Sequence, residues 1–152
     1  MPEFRFHHLE RRRIEQALPD FLEAALAEGH RIVVQTPSRE WRDALNERLW
    51  TYREDSFLPH GSASDGDPAS QPIFLTETDE SPNGATLRVL LGPADVERFR
   101  DAASCKRVIV LFDSRDEAAM AEARTAWKLR TGAGASPSYW NEGDEGGWVK
   151  AR

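Results

Sequence analysis

The chain has 152 residues, 39% of them hydrophobic, and sets 20 Lys and Arg against 26 Asp and Glu for a net charge of −6. That length gives one domain with one core, and the acidic balance excludes binding to a phosphate backbone unless the cations are gathered on one face. The single cysteine, Cys105, excludes an internal disulfide and a thiolate zinc site, and with no signal core or membrane-length apolar run the expectation is a soluble cytoplasmic protein.

Phe4, Phe6 and Leu9, with Arg5 and His7 between them, predict a first strand through about His8. Ile14, Leu18, Phe21, Leu22, Ala25 and Leu26 then recur at helical steps, and Gly29 is placed to end the run. Pro19 interrupts that pattern, so the helix proper is expected to begin there. RIVVQ, Arg31 to Gln35, has the β-branched character of a buried strand. Strand, helix and strand in this order form a βαβ unit, which calls for a parallel pair. Ser38 is placed to cap a second helix, on which Trp41, Leu45 and Leu49 should face the sheet.

Trp50, Tyr52, Phe57 and Leu58 follow in a stretch too irregular for one amphipathic helix, which stops at Pro59. An aromatic cluster between a helix end and a loop reads as a docking surface. From Pro59 to Pro72 the composition turns to Gly, Ser, Asp and Pro, with 62–72 an exposed loop. Strands are predicted at Ile73 to Thr76 and Leu87 to Leu91, and Asn83-Gly84 between them is a hairpin-turn signal. Gly92-Pro93 ends that strand, and Ala94 to Arg100 read as one or two helical turns. RVIVLF, Arg107 to Phe112, is the central strand. It leads to a long helix from about Asp116 to Arg130, capped by Gly132 or Gly134. A last strand lies near Ser138 to Asn141, and in the tail at 142–152 Trp148-Val149 can add an edge. The fold class is α/β, a single domain over 1–152. It has three layers, α/β/α, around a mixed, largely parallel sheet, and is Rossmann-like.

No nucleotide-binding motif is present: the first strand is followed by Leu9-Glu10-Arg11, without a Gly-rich turn. Asp113 stands at the carboxyl end of the central strand, where catalytic or metal-binding carboxylates sit in such folds. With Asp116 and Glu117 it imitates an acidic pocket. The plainer reading, which we favour, is that Asp113 or Ser114 opens the following helix, with the two acids in its first turn. His7 and His8 point to opposite faces of a strand, and His30 and His60 fall in a turn and a loop, so structural roles are favoured over a metal site. Cys105, beside Lys106 and Arg107, reads as a small residue at a strand entry rather than a reactive thiol.

The long helix is more informative. At 100° per residue Ala119, Ala123 and Ala126 share one face, Trp127 lies on its shoulder, and Arg124 and Lys128 flank it toward solvent. A flat aromatic beside two cations makes a receptor for a ligand with a hydrophobic tip and carboxylates. An ordinary edge-of-core Trp with solvated neighbours is the competing reading, and the wheel alone favours it.

Taken in order, FRFHHL, LWTY with SFLPHG at 49–61, QPIFLT at 71–76, PNGATLRVLL at 82–91, RVIVLFDSRDEAA at 107–119 and the ending ARTAWK…YW…GGW resemble the chi subunit family of bacterial DNA polymerase III. The resemblance implies a non-catalytic α/β accessory protein. Such a protein links the clamp loader, through the small psi subunit, to the acidic C-terminal tail of single-stranded DNA-binding protein, which ends in Phe. It implies no cofactor and no metal. Tail binding would fall to Arg124, Trp127 and Lys128. Trp50 and Phe57 match the aromatic positions that contact psi or a helicase competing for that surface. Some relatives carry a further basic residue where this chain has Met120, which would pass its role to Arg130 or Arg115. Two other readings stand beside the adaptor: a small metal-dependent hydrolase centred on Asp113, and a direct nucleic-acid-binding module.

Overall fold

Strand β1 (Glu3–Leu9) sends Phe4 and Phe6 to one face and His7 and Leu9 to the other. Along the chain follow helix α1 (Ile14–Ala27), β2 (Ile32–Gln35), α2 (Arg39–Thr51), β3 (His60–Ser62), a 3-10 turn (Pro68–Ser70), β4 (Ile73–Thr76), β5 (Leu87–Leu91), β6 (Arg107–Asp113), α3 (Glu117–Gly132), β7 (Ser138–Glu142) and β8 (Trp148–Lys150). The computed structural model describes residues 3–51, 59–62, 67–78, 80–91, 105–132, 136–144 and 147–151. The eight strands form one sheet in the order β3-β4-β2-β5-β6-β1-β7-β8, and every pairing is parallel except β7 with β8. Helices α1 and α2 cover one face through Ile14, Leu18, Leu22, Leu45 and Leu49. The other face is covered in part by α3, through Ala119, Ala123 and Ala126 against Phe4, Phe6, Val110 and Phe112. This is the three-layer, largely parallel α/β domain read from the sequence.

Four local expectations give way to tertiary structure. Helix α1 begins at Ile14, not Pro19: the Arg13 amide donates to Gln16 Oε1 at 2.9 Å, and Ile14, Ala17 and Leu18 are buried ahead of the proline. Pro19 then costs one backbone hydrogen bond inside a helix that packing holds in place. The helix does end at Gly29, with φ at 91°, where the Gly29 and His30 amides donate to the carbonyls of Leu26 and Ala25. Strands β1 and β2 lie in one sheet but are not neighbours, because β5 and β6 are inserted between them. The Asn83-Gly84 turn makes no hairpin, since β4 and β5 run parallel on either side of β2. Asn83 instead donates its amide to the carbonyls of Ile32 and Gln71, and Gly84 supplies the φ of 65° that the turn requires. Trp41 is 40% exposed while Leu45 and Leu49 are buried. Each i to i+4 step drifts by about 40°, which carries Trp41 off the buried arc. Arg42 takes that place, donating to Glu77 at 2.8 Å and to Asp43.

The segment from Pro59 to Pro72 is not loop throughout. His60, Gly61 and Ser62 are buried as β3, paired with β4 and lying under α2, so His60 is in a strand. These residues of low strand propensity are held there by the backbone ladder to β4 and by the packing of His60 under α2. The expected turns at Ala94 to Arg100 lie outside the described residues.

Candidate docking surfaces

Helix α3 is started by Asp116, whose Oδ1 accepts from the Ala119 amide at 3.1 Å. Its three buried alanines let the helix lie close against the sheet, which leaves Trp127 half-buried at the edge. The indole meets Phe6 edge-on at 5.4 Å and Tyr139 edge-on at 6.0 Å. Tyr139 comes from β7, and its hydroxyl lies 2.8 Å from His8 Nδ1; His8 in turn stacks on Phe112 at 5.2 Å. Burial holds His8 below its ordinary pKa and so keeps this supporting ring neutral.

Between α3 and β7 these rings floor a hollow of about 290 Å³, lined by Phe112, Met120, Trp127 and Tyr139 and edged by Arg124 and Lys128. The structure therefore gathers Arg124, Trp127 and Lys128 around one concavity. Both cations are exposed, and among the described residues neither joins an ion pair. Arg130 and Arg115 are engaged elsewhere: the Arg130 guanidinium lies 4.2 Å over the Phe4 ring, and Arg115 is bound to Asp113. Met120 supplies wall rather than charge. The sequence reading missed Phe112, Met120 and Tyr139 as lining. Tyr139 reaches the hollow because β7 pairs with β1 in the register that sets it beside Phe6.

Trp50, in the last turn of α2, is 47% exposed and rests on the His60 ring at 4.2 Å. His60 Nε2 lies 3.1 Å from the Asn46 carbonyl, which fixes that support. Trp50 is thus on the α2 face near the β3 edge, whereas the α3 hollow opens on the opposite face near β7. Phe57 lies outside the described residues.

Asp113 is occupied. Its carboxylate accepts from the Arg115 amide at 2.9 Å, from Arg115 Nε at 2.7 Å and from Nη2 at 2.9 Å. Burial pushes its pKa up, but the bonds and charge of Arg115 more than offset this and hold it below the ordinary carboxylate range. A hollow of about 360 Å³ lies beside it, yet its other acids are Glu15 and the capping Asp116. Among the described residues no three His, Cys, Asp or Glu side chains are disposed to hold a metal ion. The metal-dependent hydrolase reading centred on Asp113 thus has no ligand set among the described residues, and its carboxylate is taken up by Arg115. Cys105 is half-buried, with Sγ 3.4 Å from the Arg107 carbonyl oxygen at the entry to β6.

Fold and hollow together define a Rossmann-like α/β domain that presents an aromatic, cation-edged hollow. The chain belongs to the DNA polymerase III chi subunit family: the family model described as DNA polymerase III chi subunit, HolC, matches residues 1–138. It is also similar to the probable DNA polymerase III subunit chi of Rickettsia prowazekii (strain Madrid E). The two are 30% identical over 117 residues, which cover 74% of this chain and 71% of the relative. Membership supports an accessory role in DNA replication, within a family that serves as an accessory subunit of the polymerase III holoenzyme. Among the described residues no helix is long and apolar enough to cross a membrane.

Proposed function

We propose that the chain is a cytoplasmic replication adaptor. It links the clamp loader, through psi or a competing helicase, to the acidic C-terminal tail of single-stranded DNA-binding protein. The terminal Phe of the tail enters the α3 hollow beside Trp127, while Arg124 and Lys128 pair with tail carboxylates. Trp50 and Phe57 form the separate surface for psi or its competitor. The observation that supports this reading is the juxtaposition of an apolar hollow with two exposed cations, unpaired among the described residues, on a chain that is acidic overall.

The contact is small and its charge pairs are exposed, so the affinity is modest and salt-sensitive. Several tails on one DNA-bound partner raise the effective affinity without any new contact. An acidic protein is in this way brought to DNA that it does not grip itself. Calorimetric titration with a synthetic tail peptide, beside the same peptide lacking its final Phe, tests the reading. Binding of the first and not the second is the expected outcome; failure of both at low salt would reject the tail receptor.

A further inference from the structure

A second cavity, of about 310 Å³, lies between α1 and the sheet, on the face opposite the α3 hollow. Its inner wall is aromatic. The His7 ring lies parallel to Trp140 at 5.8 Å and meets Trp148 and Phe21 edge-on at 4.6 and 5.3 Å. His7 is 3% exposed, yet among the described residues neither ring nitrogen has a hydrogen-bond partner. Arg107 Nε, at the same cavity, is also buried and donates no hydrogen bond to these residues, with the nearest Glu3 oxygen 3.7 Å away. Two orphaned buried groups facing one cavity are costly unless an acceptor fills it.

The charges around the cavity favour an acceptor that is anionic. Arg5, Arg12 and Arg107 line it against Asp20 and Glu28. Arg12 is held by Glu142 at 2.7 Å, Arg5 pairs with Glu3, and Glu28, at the exposed rim, comes no nearer than 3.9 Å to Arg107 Nη1. Burial first, and then the charges of Arg5 and Arg107, keep the His7 imidazole neutral and able to donate one N–H. The volume stands at the small end for ligand sites and suits one ring rather than a nucleotide.

We propose that this cavity binds a small one-ring carboxylate, with its oxyanion taken by His7 and Arg107 and its ring held among Phe21, Trp140 and Trp148. The proposal is independent of tail binding at α3. Benzoate is the probe, with benzamide as the uncharged isostere and inorganic phosphate as the oxyanion without a ring. In NMR titrations of the full chain, benzoate at millimolar concentration should shift the His7 ring nitrogens and the Trp140 and Trp148 indole N–H signals. Arg107→Gln and His7→Phe should each weaken binding about tenfold. His7→Phe keeps the ring contacts, and Arg124→Ala should leave benzoate binding unchanged. Benzamide or phosphate binding as well as benzoate would overturn the proposal. An absence of shifts, leaving a water-filled cavity, or benzoate affinity in both cavity variants equal to that of the unsubstituted chain would do the same.

Discussion

Glu142 offers the sharpest test of how this fold is held together. It ends β7, is 6% exposed, and accepts from the backbone amides of Glu10, Arg11 and Arg12 at 3.1, 2.8 and 3.2 Å. Arg12 Nε adds a charged bond at 2.7 Å. One carboxylate thus ties the turn between β1 and α1 to the end of the neighbouring strand β7. Burial pushes its pKa up, but the Arg12 guanidinium and the three amides more than offset this, and the value falls from 4.5 to about 2. At 1.36 kcal/mol per unit, that difference corresponds to about 3 kcal/mol of stability. Because the folded-state pKa is the lower one, this contribution is full above pH 4.5 and is lost as pH falls toward 2. Glu142→Gln keeps the shape and an acceptor oxygen but removes the ionisation. Urea unfolding should show the variant about 3 kcal/mol less stable at neutral pH, with the deficit shrinking to roughly half by pH 3. His7 adds its own acid loss, since burial first and then Arg5 and Arg107 lower its pKa from 6.5 to about 3. That loss is common to both proteins and cancels in the difference. A deficit unchanged between neutral pH and pH 3 would refute the argument, because it would then owe nothing to the charge.

Four further outcomes follow from the geometry. Arg124→Ala should weaken tail-peptide binding about fivefold and move the thermal midpoint by less than about 2 °C; a large midpoint loss would assign Arg124 a packing role instead. Trp50→Ala should impair docking of psi or its competitor in a pull-down while sparing the tail peptide, and joint failure would contradict two separate surfaces. Arg88 is 1% exposed and donates to Gln35 Oε1 and to the carbonyls of Thr78 and Glu80, so Arg88→Met should cost about 3 kcal/mol in denaturant unfolding. Gly84→Ala meets no atom within 4 Å but must hold φ at 65°, so a loss of about 1 kcal/mol is expected from backbone strain alone.

Periodic segments were legible in the sequence, and the contacts that join them were not. RVIVLF and the alanine face of α3 declare themselves through spacing, and the structure puts Ala119, Ala123 and Ala126 on the buried side. Strand β3 could not be read from His60-Gly61-Ser62, because its pairing with β4 comes from the backbone of another segment. Trp127 was visible, but Tyr139 joins it only through the register of β7 on β1. Arg88 sits in LRVLL, which reads as a plain buried strand. What makes the arginine tolerable there is the connection at 77–86, whose carbonyls it collects. The unsatisfied His7 likewise has no signature in FRFHHL. Its isolation is set by Trp140 and Trp148, far along the chain.

The position of β1 has a consequence for biosynthesis. It is synthesised before the other seven strands described, yet its neighbours on both sides, β6 and β7, begin at Arg107 and Ser138. Strands β2 to β5 can pair among themselves while translation continues. Strand β1, with Phe4 and Phe6 exposed, has to wait until Arg107 and the residues beyond it are made. A nascent chain stalled before Arg107 would thus carry an unpaired apolar strand, the kind of segment that chaperones and neighbouring edges capture. The completed sheet hides that strand in its interior, so its last assembly step is also the one that removes its most aggregation-prone surface.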